Sequence, residues 1–482
     1  MRQQKKADVV ILGAGISGLA TAHFLSQKGY EICLLEKAPR VGGAIHSERR
    51  DGFLIEYGPN STLDTTPLLR EMFADLDILD SLECANDRAN NRYIVKNGML
   101  NALPMSPAAF LKTKLFSLSA KLRLLKEPFI KPASPGGDES LAEFVERRIG
   151  REFLDYAINP FVAGVYAGRP ELLSVKSAFP KLYNLEQEYG SLIKGTIRGA
   201  KKRRQSAETA KAKAKLLSFG DGLQTMTDAL WQKYQDRIYL EANIEKISKL
   251  SAGFETDFTA NGQKVSVKSP LLLTTIPAFT AADLPFTFDV PVRGSLSKIY
   301  YPPVAMVYFG FKKAPAGRPL DGFGFLVPEK ENLNILGTIW SSTIFPNRAP
   351  EGGIALTTFV GGGRQPENAT LPEEQLISLV KKDLQKLMRI TENPDLVVVK
   401  QWRQAIPQYQ IGHEFLVKAM ADFEESMPGF YFSGNFRSGI SVGDCVKNAM
   451  EMAERITTEF KPFNANLPEE SAPLMAEVDA EG

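Results

Sequence analysis

The stretch that decides the fold is ADVVILGAGISGLATAHFLSQKGYEICLLEK, residues 7–37. An apolar run ends in a glycine-rich turn, and a helix-like segment and a second apolar run follow. A strand, a turn, a helix and a second strand form a βαβ unit, which is typical of α/β proteins with a parallel sheet. The sequence therefore predicts a Rossmann-like domain at the start of the chain.

The glycines of this turn predict a bound dinucleotide. Gly13 permits a tight turn, Gly15 lets the backbone approach a pyrophosphate, and Gly18 lets the helix lie close to the strand. The N–H groups at the start of the helix, around Ile16 and Ser17, have no partners within the helix and attract phosphate groups. We therefore expect a pyrophosphate at this turn.

The end of the second strand indicates which nucleotide is bound. Glu36 lies 18 residues after the last glycine, where a carboxylate accepts hydrogen bonds from ribose hydroxyls. That carboxylate would repel a 2′-phosphate, so we expect an adenosine diphosphate half without one. Lys37, the next residue, carries a positive charge that would attract a 2′-phosphate, so the exclusion of that phosphate stays open.

Three further loops favour FAD over NAD as the cofactor. Two of them follow the βαβ unit and expose backbone that could line an extended cofactor. A third lies near the end of the chain, where a strand runs into a glycine-rich turn and a helix, which suits a flavin ring. The predicted contacts are Gly42 and Gly43 in the first loop, Gly58, Pro59, Asn60 and Ser61 in the second, and Gly434, Ile440, Ser441 and Val442 in the third.

Composition excludes several function classes. The chain has 482 residues, of which 44% are hydrophobic and 24% charged, and its net charge of +2 argues against nucleic acid as a partner. Its three cysteines are too few and too scattered for a disulfide framework, and we predict no metal site. Because neither a signal peptide nor an apolar run of spanning length is present, we expect a cytoplasmic protein whose membrane contact, if any, is peripheral on the inner face.

The pattern of elements predicts an α/β fold with a discontinuous FAD-binding domain. Strand and helix signals resume after the basic segment 201–215, which we read as a surface element or linker, and the segment 304–359 is typical of an antiparallel sheet. We assign 1–90, 216–281 and 425–462 to the FAD-binding domain, 91–108, 199–215 and 282–424 to a mixed-sheet substrate domain, 109–198 to a helical, membrane-associating domain, and 463–482 to a disordered tail.

Residues 110–130 predict a basic amphipathic helix. Apolar residues recur at a spacing of three and four, with Lys and Arg between them. Such a helix packs on its own domain, or it lies on an anionic membrane surface that its basic side chains contact. Both interpretations stay open at this point.

Most of the chain resembles a known family. Residues 13–47 resemble the amine oxidase-like flavoproteins, and several later segments, in the same order, look like the protoporphyrinogen oxidase family within that superfamily. Ala44 departs from the superfamily pattern, since amine oxidases usually have Arg there. The later segments are NRYIVKNGMLNALP at 91–104, INPFVAGVYAGRPELLSVKSAFPKLYNLEQEYGS at 158–191, GFGFLVPEK at 322–330, LGTIWSSTIFPNRAP at 336–350 and GNFRSGISVGDCVKNAMEMA at 434–453.

The resemblance implies oxidation of protoporphyrinogen IX to protoporphyrin IX by FAD, with dioxygen as the acceptor. The flavin carries the chemistry, so no protein side chain is predicted to be catalytic. By resemblance, Arg92 pairs with a propionate, the Gly164 carbonyl faces the macrocycle, and Leu326 and Phe345 sandwich its rings. Ile244 is implied to contact the cofactor through its backbone.

Several alternatives remain open from the sequence. The substrate could be coproporphyrinogen III, whose two extra carboxylates would need further cations at the pocket rim. A flavin amine oxidase would need an aromatic cage or a carboxylate for its cationic substrate, and a flavoprotein scaffold would show no turnover. The sequence also leaves open a homodimer.

Overall fold

The computed structural model describes residues 3–134, 136–203 and 214–462. The predicted disordered tail, 463–482, and the central part of the basic segment, 204–213, lie outside the described residues. The fold is mixed α/β, as the sequence predicts, and is built on two large sheets and a helical region beside them.

A five-stranded parallel sheet forms the nucleotide-binding half. All its neighbouring strands pair in parallel, and every residue of its central Val9–Leu12 strand is buried because both faces of the sheet are covered. On one face the first helix, Ile16–Gln27, packs against the last helix, Val442–Glu459. The strands, in spatial order, are Ile238–Tyr239, Ile32–Leu35, Val9–Leu12, Leu271–Thr274 and Phe430–Phe432. They come from three separated parts of the chain, while the domain boundaries drawn from the sequence stay a prediction.

The opposite face of the parallel sheet carries a four-stranded sheet. Its aromatic and branched side chains, including Phe254 and Phe258, share a core with Val10 and Leu272 of the parallel sheet. The strands, in spatial order, are Gln3–Lys6, Gln263–Ser269, Phe254–Ala260 and Asn243–Lys249.

A seven-stranded sheet, called here the large sheet, forms the second half. Its strands pair antiparallel except for Gly324–Leu326, which runs parallel to Arg92–Lys96. The Glu373–Met388 helix covers one face. The strands, in spatial order, are Leu396–Trp402, Val304–Phe311, Ile354–Gly361, Ile335–Ile339, Gly324–Leu326, Arg92–Lys96 and Met99–Ala102.

Smaller elements connect these layers. Two further sheets comprise Thr62–Leu63, Leu216–Phe219 and Leu82–Cys84, and Ser47–Arg50 with Phe53–Glu56. The remaining α-helices outside the helical region are Pro67–Asp75, Gln224–Tyr234, Ala278–Ala282, Arg293–Leu296, Ser341–Ile344 and His413–Ser426. The 3₁₀ turns are Leu79–Ser81, Asp87–Asn90, Glu127–Phe129, Gln235–Arg237, Glu329–Glu331 and Pro366–Thr370.

The helical region is made of short helices and one longer helix with an irregular centre. In the longer helix, Arg151–Phe153 and Asn159–Tyr166 are α-helical and the intervening Leu154–Ile158 segment is a π-helix. Wide turns of this kind are rare and are frequent at functional sites. The other helices are Pro107–Lys112, Leu118–Leu125, Leu141–Arg148, Val175–Ala178, Pro180–Tyr189 and Leu192–Arg203.

The prediction of one helix over residues 110–130 is wrong. The Pro107–Lys112 helix stops, and Leu115 and Phe116 enter the core against Ile94 and neighbouring aromatic rings. Ser117 then begins a new helix, because its hydroxyl accepts a hydrogen bond from the Ala120 N–H. The spacing of the apolar residues predicts one continuous helix, but a buried loop interrupts it.

The interrupted segment leaves five of its large apolar side chains exposed. Leu118 is 72% exposed and Phe129 is 88% exposed, and Leu111, Leu122 and Leu125 are exposed as well. We call these five residues the apolar surface. Among the described residues, no helix has the length and apolarity needed to cross a bilayer.

Candidate functional site

The first glycine turn has the geometry of a dinucleotide cradle. Gly13 has a φ of +101°, a conformation that favours glycine, and its N–H donates to the Leu35 carbonyl at 2.8 Å. A Cβ at Gly18 would overlap the Gly13 carbonyl oxygen, so only glycine lets the helix approach this closely. The turn therefore delivers the start of the helix to the carboxyl ends of the parallel strands, where α/β sheets bind ligands.

The space in front of this turn fits a pyrophosphate. A Cβ added at Gly15 would meet no heavy atom within 4 Å, although the rest of the turn is tightly packed. The helix that begins at Ile16 has neither an acidic residue in its first turn nor a side-chain cap, while the Ser17 side chain is buried. Its first N–H groups are thus left for an anionic ligand. On this observation the residues fit the nucleotide part of FAD.

Glu36 joins the two sides of the cradle. Its carboxylate accepts hydrogen bonds from the Ala14 N–H at 2.7 Å and the Ala38 N–H at 2.8 Å. A carboxylate has about four acceptor sites, so two remain for ribose hydroxyls. The Lys37 side chain is exposed. The Glu36 carbonyl also accepts from the Ala242 N–H, at 2.8 Å, two residues before Ile244.

A second loop closes over the first glycine turn. The Gly42 N–H donates to the Ala14 carbonyl at 2.8 Å, and a Cβ on Gly43 would lie 3.2 Å from the Gly15 Cα. The Arg40 guanidinium donates to the carbonyls of Val41, Ile45 and Gly43 in its own loop. Sequence reasoning missed this bracing role of Arg40, although an arginine directly before a glycine-rich loop is the signal for it.

The loop of Gly58, Pro59, Asn60 and Ser61 connects the cradle to the large sheet. All four residues are partly exposed, and the Trp402 indole N–H donates to the Tyr57 carbonyl at 3.2 Å. Tyr57 itself packs in a core with strands of the large sheet. A cofactor lying along this loop would thus run from the parallel sheet toward the large sheet.

The third loop lies where the parallel sheet meets the helical region. Gly434 has a φ of +118°, Ile440 packs on the core of the helical region, and the Ser441 hydroxyl accepts from the Asp444 N–H to begin the Val442–Glu459 helix. The Tyr409 hydroxyl, which is buried, donates to the Asn435 carbonyl. The three predicted loops therefore lie along the junction of the fold's main parts, a usual place for ligand sites.

The irregular helix packs directly on the large sheet, and apolar side chains are exposed where the two meet. Strand register pairs Arg92 with Gly324 and Ile94 with Leu326, so Arg92 and Leu326 share one face of the sheet. Gly164 of the helix faces Leu326 so closely that a Cβ would overlap the Leu326 Cδ2. Phe161, on the same helix, is exposed beside it. These residues form one apolar area, which Arg92 borders on the same sheet face and which we call the apolar cleft.

Arg92 is available for an anionic ligand. Its side chain is exposed, and among the described residues no carboxylate forms an ion pair with it. The guanidinium carbon lies 5.4 Å from the centre of the Phe323 ring, and the surrounding protein atoms lower its pKa below the usual value by desolvation. An arginine always remains charged at neutral pH, so this end of the cleft attracts a carboxylate.

Phe345 lies deeper than a ring-contacting residue would. It is 3% exposed, packs in a small cluster that Phe323 borders, and its ring lies 5.0 Å from the Arg348 guanidinium carbon. In the structure Phe345 therefore supports Phe323, which in turn lies beside Arg92. Its predicted contact with a substrate ring stays a prediction.

Similarity to known sequences extends over nearly the whole chain. The profile of the family described as "Flavin containing amine oxidoreductase" matches residues 16–457. The chain is 34% identical over 469 residues to "Protoporphyrinogen oxidase, chloroplastic" of Nicotiana tabacum, covering 93% of this chain and 85% of that protein. It is 30% identical over 458 residues to "Coproporphyrinogen III oxidase" of Bacillus subtilis (strain 168), covering 92% and 96%.

Solved structures agree on the fold. A crystal structure of a protein from Exiguobacterium sp. 255-15 superposes with a TM-score of 0.78 at 24% identity, covering 95% of this chain and 100% of that one. The crystal structure of a putrescine oxidase double mutant superposes with a TM-score of 0.69 at 16% identity, covering 94% and 100%. At these identities the likeness concerns the fold alone.

Proposed function

This chain belongs to the flavin containing amine oxidoreductase family, and from that premise we propose that it oxidises protoporphyrinogen IX to protoporphyrin IX in heme biosynthesis. Its cofactor is FAD. The observation that carries the proposal is an Arg92 without a carboxylate partner that borders exposed apolar residues, beside loops that suit a flavin. A flat macrocycle with two propionates has the matching chemistry.

The reaction requires little acid–base catalysis by protein side chains. FAD, when bound, supplies the acceptor for hydride removal. The chain holds the substrate: Leu326 and the Gly164 helix offer it an apolar surface, and Arg92 orients it through a charged hydrogen bond. Oxidation of the porphyrinogen removes six electrons and six protons, so three two-electron cycles are needed, and we propose dioxygen as the acceptor that yields three molecules of peroxide.

The porphyrin product is fluorescent, and this permits a direct test of the proposed activity. Purified protein is supplied in air with protoporphyrinogen IX or with coproporphyrinogen III, and the porphyrin fluorescence is followed. We expect the higher kcat/KM with protoporphyrinogen IX. Equal or higher kcat/KM with coproporphyrinogen III would overturn the choice of substrate, and no porphyrin from either would overturn the proposed function.

Coproporphyrinogen III is the second candidate substrate because a relative of similar identity, from Bacillus subtilis, carries that name. Its four carboxylates would need more cations than Arg92 at the ends of the cleft. An amine substrate is disfavoured, since the positive charge of Arg92 would repel it. Oxidation of a polyamine without porphyrinogen turnover would reverse this order.

We also propose that the protein docks peripherally on an anionic membrane, at the inner face if it is cytoplasmic. The apolar surface of Leu111, Leu118, Leu122, Leu125 and Phe129 supports this, because large apolar side chains rarely cluster in water without a partner. Exposed lysines flank it and could contact lipid head groups; they are Lys112, Lys114 and Lys126.

Sedimentation with vesicles tests the docking. The protein is mixed with vesicles of phosphatidylglycerol and phosphatidylcholine, or of phosphatidylcholine alone. We expect binding to the anionic vesicles, and at least a tenfold weaker affinity for the variant Leu122→Asp, Leu125→Asp. The matched control is Leu79→Asp, Met99→Asp, which changes two exposed apolar residues elsewhere. No binding by the unaltered protein, or equal loss in the control, would contradict the proposal.

A further inference from the structure

The loop after the Ile354–Gly361 strand braces the helix that carries Gly164. The Gly363 N–H donates to the carbonyl of Ala167, where that helix ends, at 2.7 Å. The next residue, Arg364, donates through Nη2 to the carbonyl of Asn159, where the last α-helical part begins, at 2.6 Å. One short loop thus holds both ends of the helical segment that lines the cleft.

Arg364 also binds the sheet on which this helix packs. Its Nη1 donates to the Val327 carbonyl at 2.6 Å, and Val327 directly follows Leu326. The Asn159 side chain adds to the link, since its Oδ1 accepts from Arg364 at 2.5 Å and from the Glu329 N–H at 2.9 Å. The guanidinium therefore ties the Gly164 helix to the chain that follows the Leu326 strand.

The chemistry of this contact requires arginine. Two nitrogen atoms of one planar group bind carbonyls on two different elements, which a lysine ammonium cannot reproduce at the same geometry. The π-helical turn at Leu154–Ile158 immediately precedes Asn159. The side chain is largely buried, and burial lowers its pKa to about 10, so it stays charged at neutral pH.

We propose that Arg364 is a positioning residue that holds the Gly164 helix against Leu326, and thereby fixes the relative placement of these two predicted substrate contacts. This inference rests on the proposed function. Its structural basis is the near-contact of Gly164 with Leu326, which leaves no room for a methyl group while the helix is held in place. Without the guanidinium, the helix can move away from the sheet, and Gly164 and Leu326 lose their fixed placement.

A pair of substitutions tests the proposal through their coupling. In the unaltered background, Gly164→Ala forces Leu326 out of its place, and we expect kcat/KM for protoporphyrinogen to fall at least tenfold. In an Arg364→Met background the helix can move to make room for the methyl group, so Gly164→Ala should lower kcat/KM less than threefold. Equal fold losses in both backgrounds would overturn the proposal, because a merely stabilising arginine predicts additivity.

The single variants separate binding from chemistry. For Arg364→Met we expect KM to rise about tenfold, because misplacing groups that position the substrate weakens its binding, with kcat within about twofold and FAD content unchanged. The KM of Arg364→Lys should lie between the KM of Arg364→Met and that of the unaltered protein. If the methionine variant does not fold, the effect of Gly164→Ala is measured in the Arg364→Lys background instead. The matched control is Arg389→Met, an exposed arginine at the end of the Glu373–Met388 helix. An unchanged KM would overturn the proposal.

Hydrogen exchange keeps this test separate from the proposed activity. Amides of residues 159–167 should exchange at least tenfold faster in the FAD-loaded Arg364→Met protein than in the Arg389→Met control. If the unaltered protein oxidises no porphyrinogen but exchange accelerates in Arg364→Met, the proposed function is wrong and the positioning role of Arg364 is supported. If exchange is unchanged, the brace fails whatever the substrate is.

Discussion

Replacing Arg92 by alanine should weaken substrate binding far more than it slows the chemistry. The guanidinium has no carboxylate partner among the described residues, so its removal leaves no buried charge unpaired and the fold should be unaffected. The side chain lies next to the Phe323 ring at the end of the apolar cleft. A propionate bound there would lose its charged hydrogen bond.

The size of the effect follows from the exposure of Arg92. Hydrogen bonds to charged groups contribute about 1.5–3 kcal/mol, and the lower end applies because the side chain is exposed and water screens the pair. About 1.5 kcal/mol corresponds to roughly a tenfold rise in KM, while kcat should change by less than about twofold.

Steady-state kinetics with two substrates checks this reasoning. Initial rates of porphyrin fluorescence are measured with protoporphyrinogen IX and with its dimethyl ester, which has no carboxylates. Arg92→Ala should raise KM for the diacid and leave kcat/KM for the ester within about twofold of the unaltered protein. The matched control is Arg88→Ala, which removes the same charge four residues earlier, beside a different cavity. An unchanged KM for the diacid, or an equal loss with the ester, would refute the role assigned to Arg92.

Two further predictions concern the cofactor cradle and pH. Gly18→Ala should abolish FAD retention, measured as flavin absorbance after gel filtration, because the added Cβ overlaps the Gly13 carbonyl. The control Gly294→Ala, whose Cβ meets open space, should retain FAD. Full flavin content in Gly18→Ala would contradict the close approach of helix and turn. Burial raises the pKa of Glu56 from 4.5 to about 7, so the folded protein binds a proton that the unfolded chain releases in this range. Stability should therefore fall by about 3 kcal/mol as pH rises through that range. Glu56→Gln should flatten the decline of the unfolding temperature between about pH 5 and pH 7, and an unchanged decline would exclude Glu56 as its source.

The nucleotide-binding part could be predicted because its signals are local. Gly13, Gly15 and Gly18 stand at fixed offsets between a strand and a helix, and Glu36 follows at the end of the next strand. Each constraint is set by backbone geometry within about 30 residues, so the sequence alone specifies it. The mixed α/β fold follows from the same pattern.

The helical region could not be predicted because its helix ends depend on tertiary contacts. Leu115 matches the apolar spacing of residues 110–130, yet it enters a core formed with Ile94 and Tyr156, and this breaks the helix. Arg364 was missed for the same reason: its partners, Asn159 and Val327, lie 205 and 37 residues away in sequence.

The central claim is that FAD on the glycine cradle oxidises a porphyrinogen held in the apolar cleft. Its most direct test is an anaerobic titration of the purified yellow protein with protoporphyrinogen IX, followed by absorbance. We predict that the flavin bands bleach as porphyrin bands appear, with one porphyrin formed for every three flavins reduced, because the substrate gives up six electrons. A protein that binds flavin whose bands persist after excess porphyrinogen, or that binds no flavin at all, would contradict the account.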